Sequence, residues 1–229
     1  MIRGKETFIA NVSRCLGRDS LPGSAPVFSP PSEVQHEFLH DSDQDELQQV
    51  FRKNSEANGT LFFACSRKEL IPTLLQALQS FDSGPVVIGD HIYFRDQGVI
   101  DALQEQIKEC YLWDTAKSRE ENMEKAETAM VGISMAEMGL AESGTVILFS
   151  HQGTGRSVSL LPTYAITVVR KRDLRPRLTQ GMAFLRSLDK PLPASVNFVS
   201  GASSTADIEL VPVKGVHGPL KIAYVLVDD

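Results

Sequence analysis

Between Ala141 and Pro162 the chain reads AESGTVILFSHQGTGRSVSLLP, and the residue types in it suit a small anion. Glu142, Ser143, Gly144 and Thr145 put a carboxylate and hydroxyls at a turn, while Gly153, Gly155 and Arg156 follow a short apolar run. Glycine lets the backbone approach a ligand closely, and a guanidinium binds a carboxylate or phosphate through two parallel hydrogen bonds. Glu142, at the entrance to a strand, is the candidate nucleophile or base, with the capping of a turn as its structural alternative. Arg156, preceded by two glycines and followed by small and apolar residues, is expected in a cleft.

Two later stretches carry similar chemistry. In Ser-Gly-Ala-Ser-Ser-Thr-Ala-Asp-Ile-Glu from Ser200, the side chains of Ser203, Thr205 and Asp207 suit either a helix cap or a ligand's hydrogen bonds. Gly215-Val216-His217-Gly218-Pro219 flanks His217 with glycines, which suits a proton donor or ligand anchor, or a structural hydrogen-bonder. Other matches fail on their own terms. His36-Glu37-Phe38-Leu39-His40 is literally the H-E-x-x-H zinc pattern, but it lies beside a proline-rich stretch and runs into acidic residues, so a solvated helix start is expected. The acidic run Asp41 to Asp45 has Glu46 where a calcium loop needs glycine and Arg52 where it needs glutamate. Val158 replaces the third glycine of a dinucleotide fingerprint, and the Walker-like spacing from Gly139 to Thr145 has no lysine.

The elements that must position these residues alternate. Phe8, Ile9, Val12 and Leu16 fall at helical spacing and Gly17 ends that helix, after which Pro22, Gly23, Pro26, Pro30 and Pro31, with serines between, make a linker. Leu47, Val50 and Phe51 form a helical face that stops at Asn58-Gly59. Strands are expected at Thr60–Cys65, Pro85–Ile88, Tyr111–Trp113, Val131–Ser134, Thr145–Phe149, Ala165–Val169, Val196–Ser200 and Lys221–Val227. Helices are expected at Lys68–Phe81, Gln97–Glu109, Ala116–Ala129 and Leu174–Leu188. Short continuous apolar strands alternating with amphipathic helices predict a three-layer α/β/α body, residues 32–229, around a mostly parallel sheet, with residues 1–31 as a helical arm and linker. Ligands of such sheets collect beyond the carboxyl ends of the strands.

Composition narrows the function. The 229 residues carry a net charge of −6, and the basic residues that do cluster, Arg170, Lys171, Arg172, Arg175 and Arg177, sit at a strand-to-helix junction, which excludes nucleic acid as the expected partner. Cys15, Cys65 and Cys110 form no C-x-x-C pair, so neither zinc nor an iron-sulfur cluster is expected on this chain. No apolar run approaches the ~20 residues of a membrane span, and Met1 to Arg18 lacks the pattern of a secretory signal, which makes the cytoplasm the expected compartment.

Taken in order, Ala141-Glu142-Ser143-Gly144-Thr145, Gly155-Arg156 with Ser159-Leu160-Leu161-Pro162, Ser200-Gly201-x-Ser203-x-Thr205-Ala206-Asp207-Ile208-Glu209 and Gly215-Val216-His217-Gly218-Pro219 resemble the lactate-utilisation protein C family and its LUD domain. The resemblance runs from about Leu47 to the C-terminus; Ser143 stands where the family commonly has threonine and Ala202 where it has proline. It implies a fold similar to the sugar-phosphate isomerase and CoA-transferase superfamily. It also implies a role in oxidising L-lactate to pyruvate beside partner proteins that carry the iron-sulfur clusters. Glu142-Ser143-Gly144 further resembles the turn that holds the nucleophilic glutamate of CoA transferases. That leaves open a stand-alone transferase or isomerase using Glu142 and His217, or a regulatory ligand binder.

Overall fold

The computed structural model describes residues 4–18, 32–188, 192–205 and 213–229. The linker from Asp19 to Pro31 and the candidate ligand residue Asp207 lie outside the described residues. The chain divides into two compact units, Met1–Val34 and Gln35–Asp229. In the first, α1 (Lys5–Cys15) ends where the Gly17 and Arg18 amides donate to the Arg14 and Ser13 carbonyls, a helix-closing motif that satisfies the last turn.

The boundary falls after the first residue of α2 (Val34–Glu37), and α3 (Gln44–Ala57) belongs to the second unit. α2 ends before His40, and Leu39 has φ 55, so His36 and His40 do not share a helical face. The acidic run instead starts α3: the Asp43 carboxylate caps it by accepting from the Asp45 and Glu46 amides at 3.0 and 2.9 Å.

The main sheet contains β1 (Leu61–Ser66), β2 (Val86–Ile88), β3 (Cys110–Leu112), β4 (Val131–Met135), β7 (Tyr164–Arg170) and β12 (Lys221–Asp228). Their order across the sheet is β1-β12-β7-β4-β2-β3 and every pairing is parallel. Helices α4 (Leu70–Gln79), α5 (Ile92–Asp96) and α6 (Val99–Gln106) cover one face, where Leu70, Leu74, Phe94 and Leu103 pack on Ile88, Ile133, Ile166 and Val225. α3 covers part of the other face, with Phe51 stacked on Tyr224 at 5.7 Å between ring centroids. α7 (Arg119–Thr128) and α8 (Ser157–Leu160) cover the rest through Ala126 and Val158, which pack on Val87 and Trp113.

The expected α/β fold with a mostly parallel central sheet is therefore present, but two of its expected strands belong elsewhere. β5 (Met138–Leu140), β6 (Thr145–Phe149), β8 (Leu174–Arg175) and β9 (Val196–Val199) form a second sheet, ordered β8-β5-β6-β9, in which β6 runs antiparallel to both neighbours. The cause is connection length. Only Ala136 and Glu137 separate β4 from β5, far fewer than the dozen or so residues a parallel crossover needs, so the chain leaves the main sheet and turns back as a hairpin. All four expected helices are also shorter. The one expected at Gln97–Glu109 is confined to α6, which Gly98, at φ 64, separates from α5, and Pro176 holds Leu174–Arg175 as β8 ahead of α9 (Leu178–Arg186). A small ribbon, β10 (Ser204–Thr205) with β11 (Val213–Lys214), precedes β12.

Candidate functional site

The glycine-rich loop after β6 and the Gly215–Gly218 turn before β12 meet across a cleft of about 840 Å³. Arg156 and His217 line it together with Trp113, Arg119, Leu161 and Val216. Each basic side chain owes its place to a short local device. Ser118 accepts from the Glu121 amide at 3.0 Å and so starts α7, which places Arg119 at the first helical position. Arg156 stands where α8 begins, and α8 is pressed on β4 so closely that a Cβ on Gly132 would lie 1.9 Å from the Val158 carbonyl oxygen. The His217 turn is fixed from behind by Ser203, whose hydroxyl accepts from the His217 amide at 3.3 Å and whose carbonyl accepts from the Gly215 amide at 3.0 Å.

The electrostatics of the cleft are one-sided. No Asp or Glu is among the described residues lining it, although the chain as a whole is acidic. Arg119 and Arg156 are exposed and make no side-chain hydrogen bond or ion pair with the described residues. Both also sit at helix starts, where the backbone dipoles disfavour a cation. Two guanidinium groups without a partner among the described residues, lining one cleft, can bind a carboxylate or phosphate anion.

Of the candidate residues, Gly155, Arg156, Gly215 and His217 thus come together, with Ser203 directly behind them. Thr205 lies in the β10–β11 ribbon. Gly155 serves the aromatic wall: a Cβ there would lie 2.3 Å from the Trp113 ring, whose indole N–H donates to the Gln152 carbonyl at 3.1 Å. Gly153 is turned towards the carboxyl end of β2, where its carbonyl accepts from the Asp90 amide at 2.7 Å.

Glu142, Ser143, Gly144 and Thr145 stand at the other end of β6 and do not line the cleft. The Glu142 carboxylate is gripped by both arms of Arg177, with contacts of 2.8 Å to Nε and 2.8 Å to Nη2. Its carbonyl and that of Ala141 accept from the Asn54 amide at 2.8 and 2.9 Å. Gly144, at φ 59, turns the hairpin against the Asn54–Ser55 backbone, where a Cβ would lie 2.5 Å from the Ser55 nitrogen. Thr145 joins Ser143 and Ser200 in a chain of hydroxyl contacts at 2.6 and 2.5 Å. The acid-bearing turn therefore seats the second sheet on α3, and the expectation that it converges with Arg156 is corrected.

Reading the sequence missed Trp113 and Arg119. The available signal was Ser118, a cap three residues before Glu121, which locates the start of α7 and so the placement of the arginine that follows.

A second polar cluster crowns the carboxyl end of β2. His91 and His151 face each other with ring centroids 6.1 Å apart, and Asp90 is held by Arg95 through contacts of 2.5 and 2.7 Å. Each histidine Nδ1 accepts from a backbone amide, Tyr93 at 3.1 Å and Gly153 at 3.2 Å, which leaves each Nε2 carrying the proton of the neutral ring. Burial, then the neighbouring His151 and Arg170, push the His91 pKa down to about 4, with Asp90 opposing. Burial likewise lowers that of His151.

The unfolded chain therefore takes up these protons first, and the folded state loses stability as pH falls from about 6.5 towards about 4. Tm is expected to fall by several degrees between about pH 7 and about pH 5. His91→Asn, which keeps an acceptor for the Tyr93 amide, is expected to reduce that slope; equal slopes in both proteins would remove His91 as the cause.

The comparisons with known proteins agree with this architecture. The LUD domain profile matches residues 48–227. Lactate utilization protein C of Bacillus subtilis (strain 168) is 36% identical over 100% of this chain and 98% of its own length. Lactate utilization protein C of Shouchella clausii (strain KSM-K16) is 39% identical over 100% of both. A crystal structure of a DUF162 family protein from Deinococcus radiodurans superposes with a TM-score of 0.55 at 19% identity, covering 81% of this chain and 98% of that one, which shows a shared fold. The fold defines a LUD-domain α/β protein. Through that domain and these full-length relatives, the chain belongs to the lactate utilization protein C family.

Proposed function

We propose that this chain works in lactate utilisation as the anion-holding, non-redox component of a system that oxidises L-lactate to pyruvate. The two electrons released pass to partner proteins that carry iron-sulfur clusters, and the two protons pass to water. The names of the full-length relatives support the pathway, and one observation supports the role: two arginines without a partner among the described residues share with a histidine a cleft that has no carboxylate among its described lining residues. Assigning the clusters to partners is supported by the cysteines. Cys65 is on β1 and Cys110 on β3, the opposite edges of the six-stranded sheet, so they cannot jointly hold a cluster that needs closely grouped thiolates. Burial also raises both thiols, Cys110 to about 11, away from the thiolate form that iron requires. No helix of the described residues is long and apolar enough to cross a membrane, and we assign the protein to the cytoplasm, beside its partners.

The test is reconstitution. Adding the chain to its purified cluster-bearing partners is expected to raise lactate-dependent dye reduction, and the Arg156→Ala protein is expected to restore less of it. Dye reduction that ignores the presence of the chain would end the proposal.

A further inference from the structure

The cleft has room for more than a three-carbon acid. Its volume of about 840 Å³ lies within the range of roughly 300–1,000 Å³ that encloses drug-sized ligands. A second hollow of about 660 Å³ adjoins it, with Ser150 and Ala194 lining both. The second hollow differs in chemistry. Phe149, Leu188 and Pro193 give it an apolar wall, and no Asp, Glu, Lys or Arg is among the described residues lining it. Phe149 is held in place by stacking on Phe184, with ring centroids 6.5 Å apart, so the wall is firm. Polarity therefore changes from one hollow to its neighbour, from Arg119, Arg156 and His217 in the first to Phe149 and Leu188 in the second.

From this juxtaposition we infer that the ligand is a bipartite small molecule: a phosphate or carboxylate head between Arg119 and Arg156, joined to an apolar body that lies against Phe149, Leu188 and Pro193. The inference rests on the reading of the cleft as an anion site and adds the substrate class. Free lactate fills neither half. An alkyl- or acyl-bearing phosphate or carboxylate fills both, because the guanidinium pair fixes its head while water leaves the Phe149 wall. The neutral His151 at the border places no charge in the path of the apolar part.

The experiment measures binding of methyl phosphate and hexyl phosphate to the full chain by calorimetry, below the concentration at which hexyl phosphate self-associates. Each buried methylene contributes about a fourfold gain, so even partial burial of the hexyl chain predicts at least about a thirtyfold tighter Kd than for methyl phosphate. Leu188→Gln is expected to remove most of that gain while leaving the methyl phosphate Kd unchanged. Equal affinities for the two phosphates, or a gain that survives Leu188→Gln, would overturn the bipartite ligand while leaving the anion site standing. Failure of both phosphates to bind would overturn the anion site itself.

Discussion

Replacing Arg119 and Arg156 together by alanine is expected to weaken phosphate or carboxylate binding by about a hundredfold without unfolding the protein. A hydrogen bond to a charged partner is worth about 1.5–3 kcal/mol, and the lower end applies here because both arginines are exposed at the rim. Two such losses come to about 3 kcal/mol, a factor of roughly one hundred. Neither side chain bonds to a described residue, so the fold has nothing to lose with them. Removing a cation from the first turn of α7 is even expected to leave stability equal or higher by about 0.3–1 kcal/mol. Binding and stability should thus move in opposite directions. A double variant that binds as wild type, or that loses affinity only because it melts, would contradict the placement of the anion. Arg156→Lys is expected to recover only part of the loss, since an ammonium cannot make the paired contact of a guanidinium.

The second large effect is structural. Gly132→Ala should destabilise the body by about 3 kcal/mol or more, because its Cβ would sit 1.9 Å from the Val158 carbonyl oxygen and 2.8 Å from Pro162 Cγ. Neither is the end of a flexible side chain, so α8 must move away from β4. Arg156, Ser157 and Leu160 travel with it, and affinity for the anion is expected to fall in parallel. Gly181→Ala in α9 serves as the control: its Cβ would meet the tips of Ile147 and Leu140 at 3.2 and 3.3 Å, contacts that small side-chain shifts relieve, and alanine favours the helix. Chemical unfolding of the two variants side by side is the measurement. A Gly132→Ala protein as stable as the Gly181→Ala protein would show that the packing of α8 on β4 is looser than described.

The contrast between Gly132 and Glu142 shows what a sequence discloses. The alternation of apolar strands and amphipathic helices made the parallel sheet legible, because parallel strands are buried on both faces and stand out as unbroken apolar runs. The same property hid the second sheet. Thr145 to Phe149 has that appearance too, yet its pairing depends on β5, a three-residue strand, and on the short link before it. The AESGT turn was legible as special, but its chemistry is spent on Arg177, Asn54 and Ser200 rather than on a ligand. Arg156 and His217 were legible through their glycines. Arg119 was hidden in a helix rich in charge whose apolar residues show no periodicity, so nothing marked one guanidinium among its neighbours.

The loop from Ser150 to Arg156 is tied at three points to parts of the chain that are distant in sequence. Thr154 fills the space beside Gly89, Gly153 bonds to Asp90, and Gly155 lies flat on Trp113. A segment that leaves the smaller sheet is in this way riveted to the carboxyl ends of β2 and β3 in the larger one. The two β-layers cannot slide past each other without carrying the guanidinium of Arg156 with them. The position of that guanidinium and the alignment of the layers are thereby one mechanical variable.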